Sequence, residues 1–278
     1  MRGSGVQVQD YADLQEPSVL EVRTSVVDDN AETGVYVIGS DATLDATVIR
    51  ATKSASNGGY GWGLSVAIGQ SSGRRSSAIV RSSVLSGNHE SAVFAGGSDA
   101  AFEATVLRDT KAQAFDDNGG SGLRVQPDPA TGERSVVTLD ACSLEGNPEY
   151  GVLAAGSDVT LDGTIVRATT AARDNQLGMG FALVPQGGAR GVRGSAKLHH
   201  SVLERDHTIG ALIQGSDATL EGTIVRNTLD GETADSSSFM FHDDGGNACG
   251  CEGQSVPCQA LSSNLTPPGP IGPVEPHP

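Results

Sequence analysis

Aromatic and basic side chains are scarce in this chain of 278 residues. It carries one Trp, four Tyr, six Phe and three Met, and 18 Lys and Arg against 34 Asp and Glu, a formal net charge of −16. The shortage of large apolar side chains argues against one thick core, which would lean on Phe, Trp, Leu and Met. The acidic balance argues against nucleic acid as a partner, because phosphate recognition needs a basic face. No apolar run approaches the ~18 residues of a membrane-spanning helix. The opening Met1-Arg2-Gly3-Ser4-Gly5-Val6 lacks the apolar centre of a signal peptide. What abounds is glycine, 37 residues, about twice average usage. The apolar content comes as short clusters of Val, Ala, Leu and Ile, which favours many short strands joined by sharp turns.

Internal repetition orders these clusters. Gly-Ser-Asp occurs at Gly39-Ser40-Asp41, Gly97-Ser98-Asp99, Gly156-Ser157-Asp158 and Gly215-Ser216-Asp217, at intervals of 58, 59 and 59 residues. A shorter unit lies inside: apolar-x-apolar, two residues, then Thr, Ser or Cys and two more residues. It places equivalent positions at Val22, Leu44, Val80, Phe102, Leu139, Leu161, Leu198 and Leu220, spaced alternately by 22 and by 36 or 37 residues. Twenty-two residues suit three short strands and three turns at ~3.3 Å per residue, which is one turn of a coil. One such turn cannot bury its apolar side chains alone, whereas stacked turns can. No segment sustains the 3.6-residue period of a helical solenoid.

On these residues the chain resembles the right-handed parallel β-helix repeat family, the pectate-lyase-like superfold, over roughly residues 3 to 245. The resemblance implies an all-β rod of eight or nine coils, short and long alternating, about 40 Å long at the strand spacing. It is specific for fold and not for function. Residues 1–245 are expected to form the array, which begins mid-array as though cut from a longer chain. Residues 246–278 are expected to form a Cys- and Pro-rich, partly disordered tail.

The extra residues of the long coils fall in two turns, one on each side of a first strand marked by Val6/Val8, Val35/Val37, Leu64/Val66, Val93/Ala95, Leu123/Val125, Val152/Ala154, Phe181/Leu183, Ala211/Ile213 and Phe239/Phe241. The preceding turns are acidic and carry Asp116, Asp117, Asp174, Asn175 and Asp235. The following turns carry Arg74, Arg75, Arg134, Arg190 and Arg193. Stacking predicts an acidic crest, a partly basic crest and a valley between them. The outward residues of the first strands, among them Tyr36, Phe94, Arg124, Leu153 and Leu212, floor this valley. They form either an exposed binding groove or a surface over which the loops fold, and a one-residue slip in register would turn them inward. Candidate ligand-binding residues are therefore Tyr36, Trp62, Phe94, Arg124, Asp116, Asp117, Arg74 and Arg134, with Trp62 suited either to stacking on a sugar ring or to packing on its own coil.

Other motifs read as structural. The recurrent Asp41, Asp99, Asp158 and Asp217, and the series Arg50, Arg108, Arg167 and Arg226, pair with other charges on a solvated exterior. Calcium between the aspartates is the one cofactor to consider, although no compact Asp-x-Asp-x-Asp loop is present. Asn30, Asn88 and Asn147, with Asp206 fourth, resemble an asparagine ladder. Gly61-x-Gly63 and its copies serve turns, because no helix follows as a nucleotide site requires. The threonines Thr47, Thr105, Thr164 and Thr223 line up as an ice-binding face would need. Cys142 stands where other coils have Ser. Cys258 is expected to bond to Cys249 or Cys251, the rival being a zinc site with His242. Evenly spread acids and arginines suit a scaffold better than a catalytic site. The sequence thus predicts a non-catalytic extracellular or cell-surface scaffold, monomeric or part of a longer chain, binding a polysaccharide or a surface protein. The alternative is a polysaccharide lyase or glycoside hydrolase.

Overall fold

The structure is a computed structural model that describes residues 3–11, 13, 16–171, 177–187, 191–226, 229–232, 240–250, 256 and 258. The chain is a right-handed parallel β-helix of nine coils. Among the described residues 27 strands, numbered in chain order, form three nine-stranded parallel sheets in which every third strand is a neighbour. The first sheet holds β1 (Val6–Gln9), β4 (Thr33–Ile38), β7 (Trp62–Ala67), β10 (Ser91–Gly96), β13 (Ser121–Gln126), β16 (Tyr150–Ala155), β19 (Met179–Val184), β22 (Ala211–Gln214) and β25 (Leu229–Glu232). The second runs from β2 (Val19–Arg23) to β26 (Phe241–Asp243), and the third from β3 (Val26–Asp28) to β27 (Ala248–Cys249). Among the described residues no helix is long and apolar enough to cross a membrane.

The register follows the repeats. Val22, Leu44, Val80, Phe102, Leu139, Leu161, Leu198 and Leu220 lie in one unbroken column of the second sheet. Period-two alternation turns this column inward, where it joins the first-strand residues Val37, Val66, Ala95, Val125, Ala154, Leu183 and Ile213 in one core. The ninth coil departs from expectation. Its first strand is β25, within a stretch read from the sequence as loop, and Phe241 pairs with Ala218 in the second sheet. Phe239, Asp174, Asn175, Arg190, Asp235, Cys251 and the prolines of the tail lie outside the described residues.

Polar ladders hold the corners. Along one, the Thr47 amide donates to Ser83 Oγ (3.0 Å), Ser83 to Thr105 Oγ1, and Thr164 to Ser201 Oγ (3.2 Å), with Cys142 occupying one place. Thr47, Thr105, Thr164 and Thr223 are buried, so they present no face to ice. Along another, the amides of Thr52, Thr110 and Thr169 donate to Asn88, Asn147 and Asp206. The Gly-x-Gly repeats serve this ladder. Gly61 has φ +114°, and a Cβ on Gly63 would lie 2.7 Å from the Asn88 side-chain nitrogen. The first glycine thus permits the backbone turn and the second makes room for the ladder. At the far end Cys249 bonds to Cys258, and both side chains lie in the core. With their sulfurs joined, these cysteines are not zinc ligands.

Candidate functional site

The two turns of each long coil do different work. On one side, arginines tie the turns to the Gly-Ser-Asp aspartates. Arg74 donates to the Gly39 carbonyl (2.8 Å) and to Asp41 (2.9 Å), Arg75 to Asp99 (2.5 Å) and to the Arg134 carbonyl (2.7 Å), Arg134 to Asp158, and Arg193 to Asp217 (2.6 Å). The expected basic crest is therefore neutralised. Arg74 and Arg134 are coil-to-coil ties rather than a surface offered to a ligand.

On the other side the acidic turns build a cleft. The turns leading into β7 and β13, two coils apart, meet over the short corner before β10. Phe115 N donates to the Gly58 carbonyl (3.0 Å) and Ala114 N to Ser54 Oγ (3.1 Å). The cleft they frame has a volume of about 500 Å³ and is lined by Asn57, Tyr60, Glu90, Gln113, Phe115 and Arg124, with Gly59. Tyr60 is held at φ +61°, a conformation that is a genuine outlier for a bulky side chain. Its amide donates to Glu90 Oε2 at 2.8 Å, which fixes the strained turn to the wall of the cleft.

Glu90 was not legible as a site residue, yet it is central. It sits at φ +57° in the corner, where its carbonyl accepts the amides of Gly120 (2.7 Å) and Ser121 (2.9 Å). Glu32 and Glu149 do the same one repeat before and after. The sequence signal for it is Asn-x-Glu, at Asn30-Ala31-Glu32, Asn88-His89-Glu90 and Asn147-Pro148-Glu149. With the turns closed over it, Glu90 is 6% exposed. Burial raises its carboxyl above the ordinary range, an effect that Arg124 partly offsets. Glu149 is raised for the same reasons, with Arg124 and then the Gly119 amide opposing. Arg124 Nη1 lies 3.6 Å from Glu90 Oε1. Burial would also raise Asp116, but hydrogen bonds from the Asn118 amide and from the Gln113 and Asn118 side chains hold it below its ordinary value. The arrangement is a guanidinium facing one buried glutamate, with Glu149 and Asp116 near enough to act on the same carboxyl.

The valley floor is covered rather than open. Arg124 stands in the outward column between Phe94 and Leu153. Phe94 is 2% exposed and stacks on Trp62, centroids 4.4 Å apart and planes 8° off parallel. Tyr60 meets Trp62 edge-on at 4.8 Å. Trp62 therefore keeps its ring for its own molecule, and the Trp62–Phe94 pair is the footing on which the cleft residue Tyr60 rests. Leu153 and Leu212 join Tyr150, Met179, Ala182, Val184 and Ile209 in a second buried apolar cluster on the same outer face. Over coils 3 to 5 the physical reason is the length of the turns before β7 and β13, which fold back over the sheet. Tyr36 is half-buried on β4, one coil before the cleft, and Asp117 is exposed. Of the sequence candidates, the structure gathers Arg124, Asp116, Trp62 and Phe94. Tyr36, Asp117, Arg74 and Arg134 lie apart from the cleft. Among the described residues no group of three or more His, Cys, Asp or Glu is placed to hold a metal ion.

No protein-family model matches the chain, and no curated protein matches it by sequence. Among solved structures it is similar to a double mutant of the periplasmic alginate epimerase AlgG, at 10% sequence identity and a TM-score of 0.40. That match covers 72% of this chain and 50% of the other, so the chain spans about half the length of that protein.

Proposed function

We propose that this β-helix is a glycan-binding protein of the cell surface or extracellular space, which seats a sugar unit in the cleft between the turns of coils 3 and 5. The observation that carries the reading is convergence. Two aromatic rings, Tyr60 and Phe115, and the amides of Asn57 and Gln113 share one concavity with Glu90 and Arg124. Rings offer apolar faces to the C–H side of a sugar, and the planar polar groups offer donors and acceptors to its hydroxyls. The Phe115 ring, 75% exposed, forms a lip of the cleft. The cystine at Cys249 and Cys258 fits an oxidising compartment. A polysaccharide-cleaving enzyme is the second reading, favoured by the raised carboxyls of Glu90 and Glu149 beside Arg124, since a carboxyl kept neutral by burial can serve as a general acid.

Retention on immobilised polysaccharides, run alongside an assay for released reducing or unsaturated ends, separates the two. Binding without release, lost in Phe115→Ala, is the expected result. Release that Glu90→Gln abolishes would establish the enzyme, and absence of both would remove the cleft as a glycan site.

A further inference from the structure

We infer that the cleft selects an uncharged, hydroxyl-rich sugar chain and rejects polyanionic ones, an inference that rests on the glycan-binding reading above. A polyanion needs a positive surface, and this one does not supply it. Arg124 is the sole basic side chain among the described residues lining the cleft. Its guanidinium already faces the Glu90 carboxyl at 3.6 Å and feels Glu149 as well. Asp116, ionised through its hydrogen bonds, acts on both glutamates. The cleft thus offers a polyanion a single basic side chain, which already faces a carboxyl.

Most basic groups outside the cleft are engaged, although Lys111, at the foot of the turn that carries Gln113, is exposed. Arg74, Arg75, Arg134 and Arg193, which flank the other edge of the first sheet, are each held by an aspartate, and Lys53 by Asp29 at 2.5 Å. The chain as a whole carries −16, so long-range steering repels a polyanion before contact. A sugar carboxylate entering the cleft would meet the Glu90 carboxyl and a guanidinium whose charge that carboxyl already faces at 3.6 Å, with Asp116 on the turn beside Gln113. A neutral hydroxyl could instead donate to Glu90 and accept from Arg124, Asn57 or Gln113. Selectivity of this kind comes from the repulsive element as much as from the attractive one.

The test uses the whole chain and affinity electrophoresis against neutral and uronate-containing polysaccharides. The best-retained polymer is then charge-converted: a neutral one by oxidising its primary alcohols to carboxylates, a uronate by reducing its carboxyls to alcohols. The expected result is a neutral polymer whose oxidation weakens retention by about tenfold or more, with Asp116→Asn narrowing that gap. An acidic polymer retained best, or a gap that Asp116→Asn leaves unchanged, overturns the inference while the glycan-binding reading stands. Retention of no polymer overturns both.

Discussion

The outer face of the first sheet has two halves, built on the same backbone and register. Over coils 3 to 5 it carries Trp62, Phe94, Glu90 and Arg124 beneath turns that leave a cleft. Over coils 6 to 8 it carries Leu153, Ala182, Leu212 and Ile209, which close into an apolar cluster. The difference begins at two places. The outward column changes from Phe94 and Arg124 to Leu153, Ala182 and Leu212, and the corner glutamate, kept as Glu149 at the start of coil 6, becomes Thr208 before coil 8. A charged or polar group beneath a turn must keep partners or water, whereas apolar side chains gain by packing on one another. One scaffold thus makes a site or a second core according to a few outward residues.

The largest test of this contrast compares Phe94→Ala with Leu212→Ala. Removing the Phe94 ring should cost about 3–5 kcal/mol and Leu212 about 2–5 kcal/mol, both measured by urea unfolding. Only the first should abolish glycan retention, because only it undercuts Trp62 and Tyr60. Equal loss of retention in both would dissolve the distinction between the halves.

The next effect lies at the foot of the apolar half. Asp206 stands where Asn88 and Asn147 stand in the ladder, and burial raises its carboxyl to about 7. A carboxyl raised on folding contributes stability that is fully present below its unfolded pKa of 3.8 and is lost as pH rises through about 7. Asp206→Asn should therefore raise stability at pH 8 by about 4 kcal/mol and change it little at pH 4. A gain of equal size at both pH values would show that the amide acts through something other than charge.

Much of this was legible in the residues. The alternation of 22 with 36 or 37 fixed which strands stack, and Val22 to Leu220 proved a true column, because a period-two core tolerates no slip. The cleft was legible only in part. Arg124 and Asp116 stood out as irregular, but nothing local marks that the turns of coils 3 and 5 touch at Phe115 and Gly58, a contact between residues far apart in sequence. Glu90 was hidden for the opposite reason. It recurs, and recurrence reads as scaffold even where one copy is enclosed differently from the rest.

Two smaller effects mark the edges of the contrast. Reducing Cys249–Cys258 opens a short loop and should cost about 2–3 kcal/mol, with hydrogen exchange rising in coils 8 and 9 while the cleft keeps its ligand. Loss of retention on reduction would mean that the halves unfold as one. Arg74→Ala should cost less than about 1 kcal/mol, as a partly exposed pair does, and leave retention within twofold.

The pairing of short with long coils also defines a unit of change. Crossing over between two Gly-Ser-Asp copies, at Gly156 and Gly215 for example, removes or adds 59 residues, two whole coils at once. Every inward side chain then falls into the column it would have occupied, and the chain meets its old partner across the new junction. A gene encoding such a rod can lengthen or shorten by recombination without passing through an unfoldable intermediate, and each added pair brings fresh turns on which a different recognition surface can be tried.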